Sequence, residues 1–382
     1  MSSPGSTASL RTANQQRVLD VLRARESGQV VTQADLARRT GLAPATVSNI
    51  VRELAAAGLF DVTPGSGRRG TEVRLARSAG VVAGLDFGHS HVAVAVGDLT
   101  GRLVAERRRP IASGHAYEEG LALAEVLLEE ALTEATAPRN ALRAIGLGLP
   151  APLTGGLVRS SAILPGWVGV DALQVAQDHF GVVVHTENDA NLGAIAEHRH
   201  GVARGTDSSV FVKASSGVGA GIVLDGRLFG GSAGTAGEIG HLTVDENGPV
   251  CRCGSRGCLE AYTSSVALQA MLEHQLPGAS IDDIVASARG GGVAALRALE
   301  DAGLHLGWAI ASMVNLLNPA VVVLGGDVAR AGDLVLESAR VGLRRHALDA
   351  VASTPLLGSE LGERASLVGA VLVAADRTEL LV

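Results

Sequence analysis

No stretch of this 382-residue chain approaches the ~18 uninterrupted apolar residues of a membrane-spanning helix, because Gly, Pro, Asp or Arg interrupts every candidate. The first eight residues are small and polar, without the apolar segment of a secretory signal. Both absences lead us to expect a soluble, cytoplasmic protein with no membrane partner. Lysine is nearly missing too: Lys213 stands alone against 31 arginines, a bias expected of a GC-rich genome. Cysteine is confined to Cys251, Cys253 and Cys258, within eight residues of one another. An odd, clustered set suits a metal better than a disulfide framework.

What is present argues for folded domains. Hydrophobic residues make up 47% and charged residues 19%, which speaks against wholesale disorder. At roughly 150 residues per domain the length suggests two or three domains. The net charge is -7, but it is unevenly placed: residues 1–80 hold 11 Arg against 6 acids, leaving 21 basic and 33 acidic residues beyond them. The basic end is a candidate for nucleic acid.

Within residues 14–25, Val18, Val21 and Leu22 recur at helical spacing and predict a buried stripe. Thr32 can cap a second helix through Asp35, Leu36, Ala37 and Arg39, which Gly41 ends before another cap region at Ala43 and Pro44. The next helix buries Val47, Ile50, Val51 and Leu54. Its other face offers Pro44, Ala45, Thr46, Ser48, Asn49 and Arg52, small or hydrogen-bonding groups suited to a major groove. Short strands at 59–62 and 71–75 flank Pro64-Gly65-Ser66-Gly67-Arg68-Arg69-Gly70. This order resembles the winged helix-turn-helix of bacterial regulators over about the first 76 residues. The resemblance puts Thr46 and Asn49 at base edges, Asn49 best suited to adenine, and sends Arg68 and Arg69 to phosphates or a narrow minor groove. The alternative is a small helical protein-interaction module with a solvated basic loop.

From residue 81 strands take over, at 81–86, 91–97 and 103–109 with a turn at 99–102, followed by a helix at about 117–135 and a strand at 144–149. A comparable arrangement returns at 210–213, 220–224 and the Asp225-Gly226 turn, predicting two related α/β lobes with a cleft between them. The most specific element is Cys251-Arg-Cys253-Gly-Ser-Arg-Gly-Cys258-Leu-Glu260, preceded by Gly237-Glu238-Ile-Gly-His241. With the lobes, it resembles the ROK family (repressor, open reading frame, kinase), which has an actin-like sugar-kinase fold, from about Val81 to Ala375. Three thiolates need one further donor to close a tetrahedral Zn²⁺ site, and the resemblance supplies His241. Because protein fills all four positions, the metal would be structural. Three reduced thiols beside an unrelated histidine are the alternative.

Glu187-Asn188-Asp189 follows an apolar strand at 182–184 and opens a helix at 190–198, so its side chains sit where α/β clefts bind ligands. The resemblance implies that Asn188 and Asp189 bond sugar hydroxyls, with Glu238, His241 and Glu260 completing the ring. In the enzymes the aspartate takes the proton from the attacking hydroxyl; a plain helix N-cap is the alternative role for Asp189. Leu164-Pro165-Gly166-Trp167 resembles the loop at the cleft mouth, although Trp167 can equally be core. Both phosphate turns depart from the family. Asp86-Phe87-Gly88-His89-Ser90 carries an imidazole where a second glycine belongs. Ser215-Ser216-Gly217-Val218-Gly219-Ala220-Gly221 has serine for its leading glycine, and only Leu324-Gly325-Gly326-Asp327, after Asn318-Pro319, is well kept.

The expected architecture is a winged helix-turn-helix at 1–78, a first α/β lobe at 79–190, a second at 191–364 carrying the zinc site and an oligomerisation surface, and a terminal helix at about 365–382 packing back on the first lobe. The expected function is a sugar-responsive transcriptional repressor whose partners are operator DNA with an inverted repeat, a sugar or sugar phosphate, and further copies of itself as a dimer or tetramer. An ATP- and Mg²⁺-dependent hexose kinase with Asp189 as base is the alternative, and a pure scaffold is a third reading.

Overall fold

The computed structural model describes residues 7–23, 29–65 and 70–380. Helices α1 (Thr7–Arg23), α2 (Gln33–Thr40) and α3 (Pro44–Ala56) precede a hairpin of β1 (Phe60–Thr63) and β2 (Glu72–Leu75). Helix α2 starts at a reciprocal cap: the Thr32 hydroxyl accepts the Asp35 N–H at 3.2 Å while the Asp35 carboxylate accepts the Thr32 N–H at 3.1 Å. Gly41, at φ 70°, ends it. Helix α1 begins well ahead of the apolar stripe that predicts it. Its first turns hold one large apolar residue, Leu10, which is exposed, so no periodicity announces them. The expected end at Arg25 lies outside the described residues, as do Arg68 and Arg69. Val18, Leu22, Leu36, Val47, Ile50, Val51, Leu54, Phe60 and Val73 form the core of this unit.

The remainder runs β3 (Val81–Phe87), β4 (His91–Asp98), β5 (Leu103–Pro110), α4 (Tyr117–Glu134), β6 (Leu142–Leu149), β7 (Leu153–Thr154), β8 (Leu157–Val158), α5 (Ala172–Phe180), β9 (Val183–Asn188) and α6 (Asp189–His200). Then follow β10 (Ser209–Ala214), β11 (Val218–Leu224), β12 (Arg227–Leu228), α7 (Glu260–Thr263), α8 (Ser265–Leu272), α9 (Ile281–Arg289), α10 (Val293–Leu317), β13 (Val321–Gly325), α11 (Asp333–His346), β14 (Leu356–Gly358) and α12 (Ala365–Arg377). One sheet has the order β5-β4-β3-β6-β9, the other β12-β11-β10-β13-β14. In both, three antiparallel strands are extended on one side by two parallel ones. The repeated order is the duplication that the glycine-and-strand pattern suggests. Strand β9 extends past its apolar start through Glu187 and Asn188, so polar residues finish it at the cleft.

Helix α12 returns across the first sheet and crosses α6. Glycine makes this possible: a Cβ on Gly146 of β6 would lie 2.0 Å from the Ala370 carbonyl oxygen, and one on Gly369 would lie 2.0 Å from that of Leu192. The obstructing atoms are backbone and cannot turn aside. Gly146→Ala should therefore destabilise the protein by about 3 kcal/mol, the upper end for overpacking, read as a lower urea midpoint. A change below about 1 kcal/mol would show that the helix does not sit on the strand this closely. Among the described residues no helix is long and apolar enough to cross a membrane.

Candidate functional site

A cleft of about 940 Å³ is lined by both lobes, near the upper end for small-molecule sites, about 300–1,000 Å³. It gathers Asp86, Gly88, Ser90, Asn188, Asp189, Gly217, Gly219, Glu238, His241, Glu260 and Gly326 from positions far apart in the chain. Gly166 and Gly325 are not among the lining residues. Gly166 packs on the backbone of His115 and Ala116, and Gly325 on the ring of Phe211. Trp167 is wholly buried, its ring 5.1 Å from Phe87 and 6.1 Å from Tyr117, so it belongs to the core.

The start of α6 sorts the two adjacent polar residues. Asn188 is its N-cap: the side-chain oxygen accepts the N–H of Ala190 at 2.9 Å and of Asn191 at 3.3 Å, and its amide donates to the Ala151 carbonyl at 3.2 Å. Capping thus falls to Asn188 and leaves the Asp189 side chain for the cleft. There Asp189 Oδ2 accepts a hydrogen bond from Lys213 Nζ at 2.8 Å, and the same ammonium donates to Ser366 Oγ at 3.0 Å. Ser366, at the start of α12, donates in turn to the Asp189 carbonyl at 2.9 Å. Burial would lower the lysine pKa, but Asp189 and Asp86 hold its ammonium above the ordinary value. Burial pushes the Asp189 carboxyl up, with Lys213 opposing. An ammonium with two carboxylate neighbours and a hydroxyl is stable as a charged partner, so we read the pair as ionised. Burial would also raise Asp86, yet Lys213 and the His91 imidazole, at 3.3 Å, hold it below the usual carboxylate range.

The first phosphate turn is crowded by two imidazoles. A Cβ on Gly88 would fall 2.0 Å from the His91 ring, and His89 Nδ1 lies 3.1 Å from the Ile163 carbonyl. The second turn is tied to the cysteine loop. Glu260 accepts the Val218 N–H at 3.1 Å, while Arg252 reaches Glu260 at 3.3 Å and donates to the Ser216 carbonyl. Sequence reasoning missed Lys213 and Arg252; their only advance sign was the oddity of a lone lysine and of an arginine inside the cysteine motif.

His241, Cys251, Cys253 and Cys258 bring their donor atoms within 4.8 Å of one another. The Cys253 and Cys258 sulfurs are 3.8 Å apart, and His241 Nδ1 is 3.9 Å from the Cys251 sulfur. A tetrahedron with Zn–S bonds near 2.3 Å has edges of about 3.8 Å, so the donor set fits such an ion. Burial pushes the Cys258 thiol up to about 12.

On the winged unit, Pro44, Ala45, Asn49 and Arg52 of α3 are exposed and Thr46 and Ser48 half-buried, opposite the buried Val47, Ile50, Val51 and Leu54. Arg52 Nη1 donates to Asn49 Oδ1 at 3.3 Å. The opposite end of the unit docks on the kinase-like part. Arg23, 6% exposed, donates to the Asp376 carbonyl at 3.1 Å and the Thr378 carbonyl at 2.8 Å, both at the end of α12.

Residues 82–377 match the ROK family and residues 11–69 the MarR family. The xylose repressor of Bacillus subtilis (strain 168) is 30% identical over 356 residues, covering 91% of this chain and 91% of that protein. A crystal structure of a ROK family transcriptional regulator, homolog of the E. coli MLC protein, superimposes with a TM-score of 0.80 at 26% identity, covering 97% of this chain and 96% of that one. A ROK family glucokinase from Streptomyces griseus, in complex with glucose and AMPPNP, gives 0.69 at 26% identity over 77% of this chain and 99% of its own. The glucokinase match leaves out nearly a quarter of this chain, whereas the regulator match takes in nearly all of it. With a MarR-type winged helix ahead of two lobes of the same strand order, the chain belongs to the ROK family.

Proposed function

We propose that the protein is a sugar-responsive transcriptional repressor. It binds operator DNA through α3 and the wing, and a sugar or sugar phosphate in the cleft changes that binding. The observation that carries this reading is α12, which touches Asp189 and Lys213 at its first turn and Arg23 of the winged unit at its last. One rigid element thus meets both the cleft and the winged unit. A ligand that shifts it between two positions has the differential contacts that coupling requires. The repressor name of the Bacillus subtilis relative supports the same reading.

In this reading Asn188, Asp189, Glu238, His241 and Glu260 meet the sugar hydroxyls. His241, Cys251, Cys253 and Cys258 hold a structural Zn²⁺ that stiffens the loop carrying Arg252 and leads into Glu260. The altered turns at Asp86, Gly88 and Ser90 and at Gly217 and Gly219, with Gly325 and Gly326, are remnants of nucleotide-binding architecture. Pro44, Ala45, Thr46, Ser48, Asn49 and Arg52 face the major groove, and Arg68 and Arg69 the phosphates. A dimer presents two such faces to half-sites about 10 base pairs, or a multiple, apart.

The test is anisotropy of labelled operator, selected from random DNA, with the purified zinc-loaded protein. D-xylose, D-glucose, N-acetyl-D-glucosamine and their phosphates are then added in turn. One of them should shift operator affinity at least tenfold; specific DNA binding indifferent to every sugar would sink the reading, and ADP release dependent on Asp189 would bring the kinase forward. Asn49→Ala should cost about 1–3 kcal/mol of discrimination at one base pair with little change in non-specific affinity. Unchanged discrimination would mean that α3 reads bases with another side chain.

A further inference from the structure

Lys213 is the single lysine of the chain and sits in a strand that is otherwise apolar after Ser209, between the buried Val212 and Ala214. Both of its cross-strand neighbours are glycines, Gly219 on β11 and Gly325 on β13. Neither neighbour puts a side chain beside its stem, although the ring of Phe211, on the same face of β10, packs over Gly325 and onto Gly193 of α6. The side chains of Lys213 and Asp189 are 18% and 12% exposed, the ion pair between them is 2.8 Å long, and both line the cleft with Asp86.

Two buried carboxylates on one cavity repel each other. Left alone, such a pair takes up a proton or collects a cation. In phosphoryl transfer that cation is a divalent metal arriving with the nucleotide, and the base must have a lone pair free for the proton it removes. Here the positive charge is part of the chain, and one oxygen of Asp189 is already engaged by it.

We propose that Lys213 is the specificity-determining residue of the cleft: its ammonium, paired with Asp189, substitutes for a divalent cation, so that the cleft takes a sugar without metal or nucleotide. Asp189 then acts as a fixed hydrogen-bond acceptor for a hydroxyl, and no proton transfer follows. The sugar half of this inference rests on the function proposed above; the exclusion of the cation does not.

The experiment is a Mn²⁺ titration of the full-length, zinc-loaded protein followed by electron paramagnetic resonance, with MgATP titrated in parallel by calorimetry. Wild type should leave the free-ion Mn²⁺ signal undiminished into the millimolar range and give no heat with MgATP. Lys213→Met should bind one Mn²⁺ at least tenfold more tightly than wild type, and adding Asp189→Asn should remove that site. Lys213→Gln, one bond shorter but neutral and still a hydrogen-bond donor, takes its place if circular dichroism shows the methionine variant unfolded. One Mn²⁺ bound by the wild type and lost on Asp189→Asn would overturn the proposal, as would a folded Lys213 variant that gains no cation. Neither readout depends on a sugar or on DNA, so failure here leaves the operator experiment standing, and the reverse.

Discussion

Cys258→Ser, or removal of the metal with a chelator, is expected to reduce the effect of sugar on operator affinity by more than tenfold, while affinity without sugar changes by only a few fold. The reason is a chain of contacts. The loop on which Cys251, Cys253 and Cys258 gather with His241 carries Arg252 and runs straight into Glu260. Arg252 holds the Ser216 carbonyl and Glu260, and Glu260 holds the Val218 N–H. Structural Zn²⁺ contributes about 10–16 kcal/mol where it organises a zinc-finger peptide. Even a fraction of that decides whether this loop keeps one shape. The winged unit has its own core, which includes none of these residues. Anisotropy with and without sugar, beside a zinc determination by plasma spectrometry, checks the outcome. A sugar response that survives complete loss of zinc would break the link between metal and ligand.

Arg23→Met is expected to act at the other end of the molecule and to spare the cleft. Coupling between sites is commonly about 1–3 kcal/mol, or 5–150-fold, and this variant should bring the sugar-dependent ratio of operator affinities close to one. Methionine keeps most of the apolar stem but removes both donors. The Asp376 and Thr378 carbonyls lose those partners, the second of them buried, where a polar group left unpaired costs about 1–3 kcal/mol. Calorimetry should find sugar affinity unchanged, and hydrogen exchange should quicken at 374–380. A variant that still answers sugar with the full shift would place the coupling somewhere other than this contact.

Local chemistry was legible in the sequence. Thr32 and Gly41 mark α2 because caps act within one turn, and Val47, Ile50, Val51 and Leu54 mark the buried face of α3 because the period is their own. The cysteine spacing likewise identifies a cluster before any fold is known. Long-range placement was hidden. Lys213 is conspicuous as the lone lysine, yet its partner on α6 and its two glycine neighbours emerge only from strand register. Asn188 and Asp189 are adjacent and chemically similar; the cap geometry alone separates one from the other. Trp167 had two readings because a tryptophan beside Pro and Gly suits a loop mouth as well as a core, and packing on Phe87 and Tyr117 decides between them. Nothing near Arg23 hints that its hydrogen-bond acceptors lie at the far end of the chain.

The position of α12 also bears on how the protein is made. Its contacts with β3, β4 and β6 complete a lobe whose first strand is synthesised nearly 300 residues earlier, and Asp376 meets Arg23 across a separation of 353 residues. At ~5–20 residues per second, the winged unit leaves the ribosome roughly 15–60 s before the helix that anchors it. During that interval the nascent chain has a DNA-binding fold of its own but no line to the sugar cleft. Obedience to the ligand is acquired only when α12 has been made.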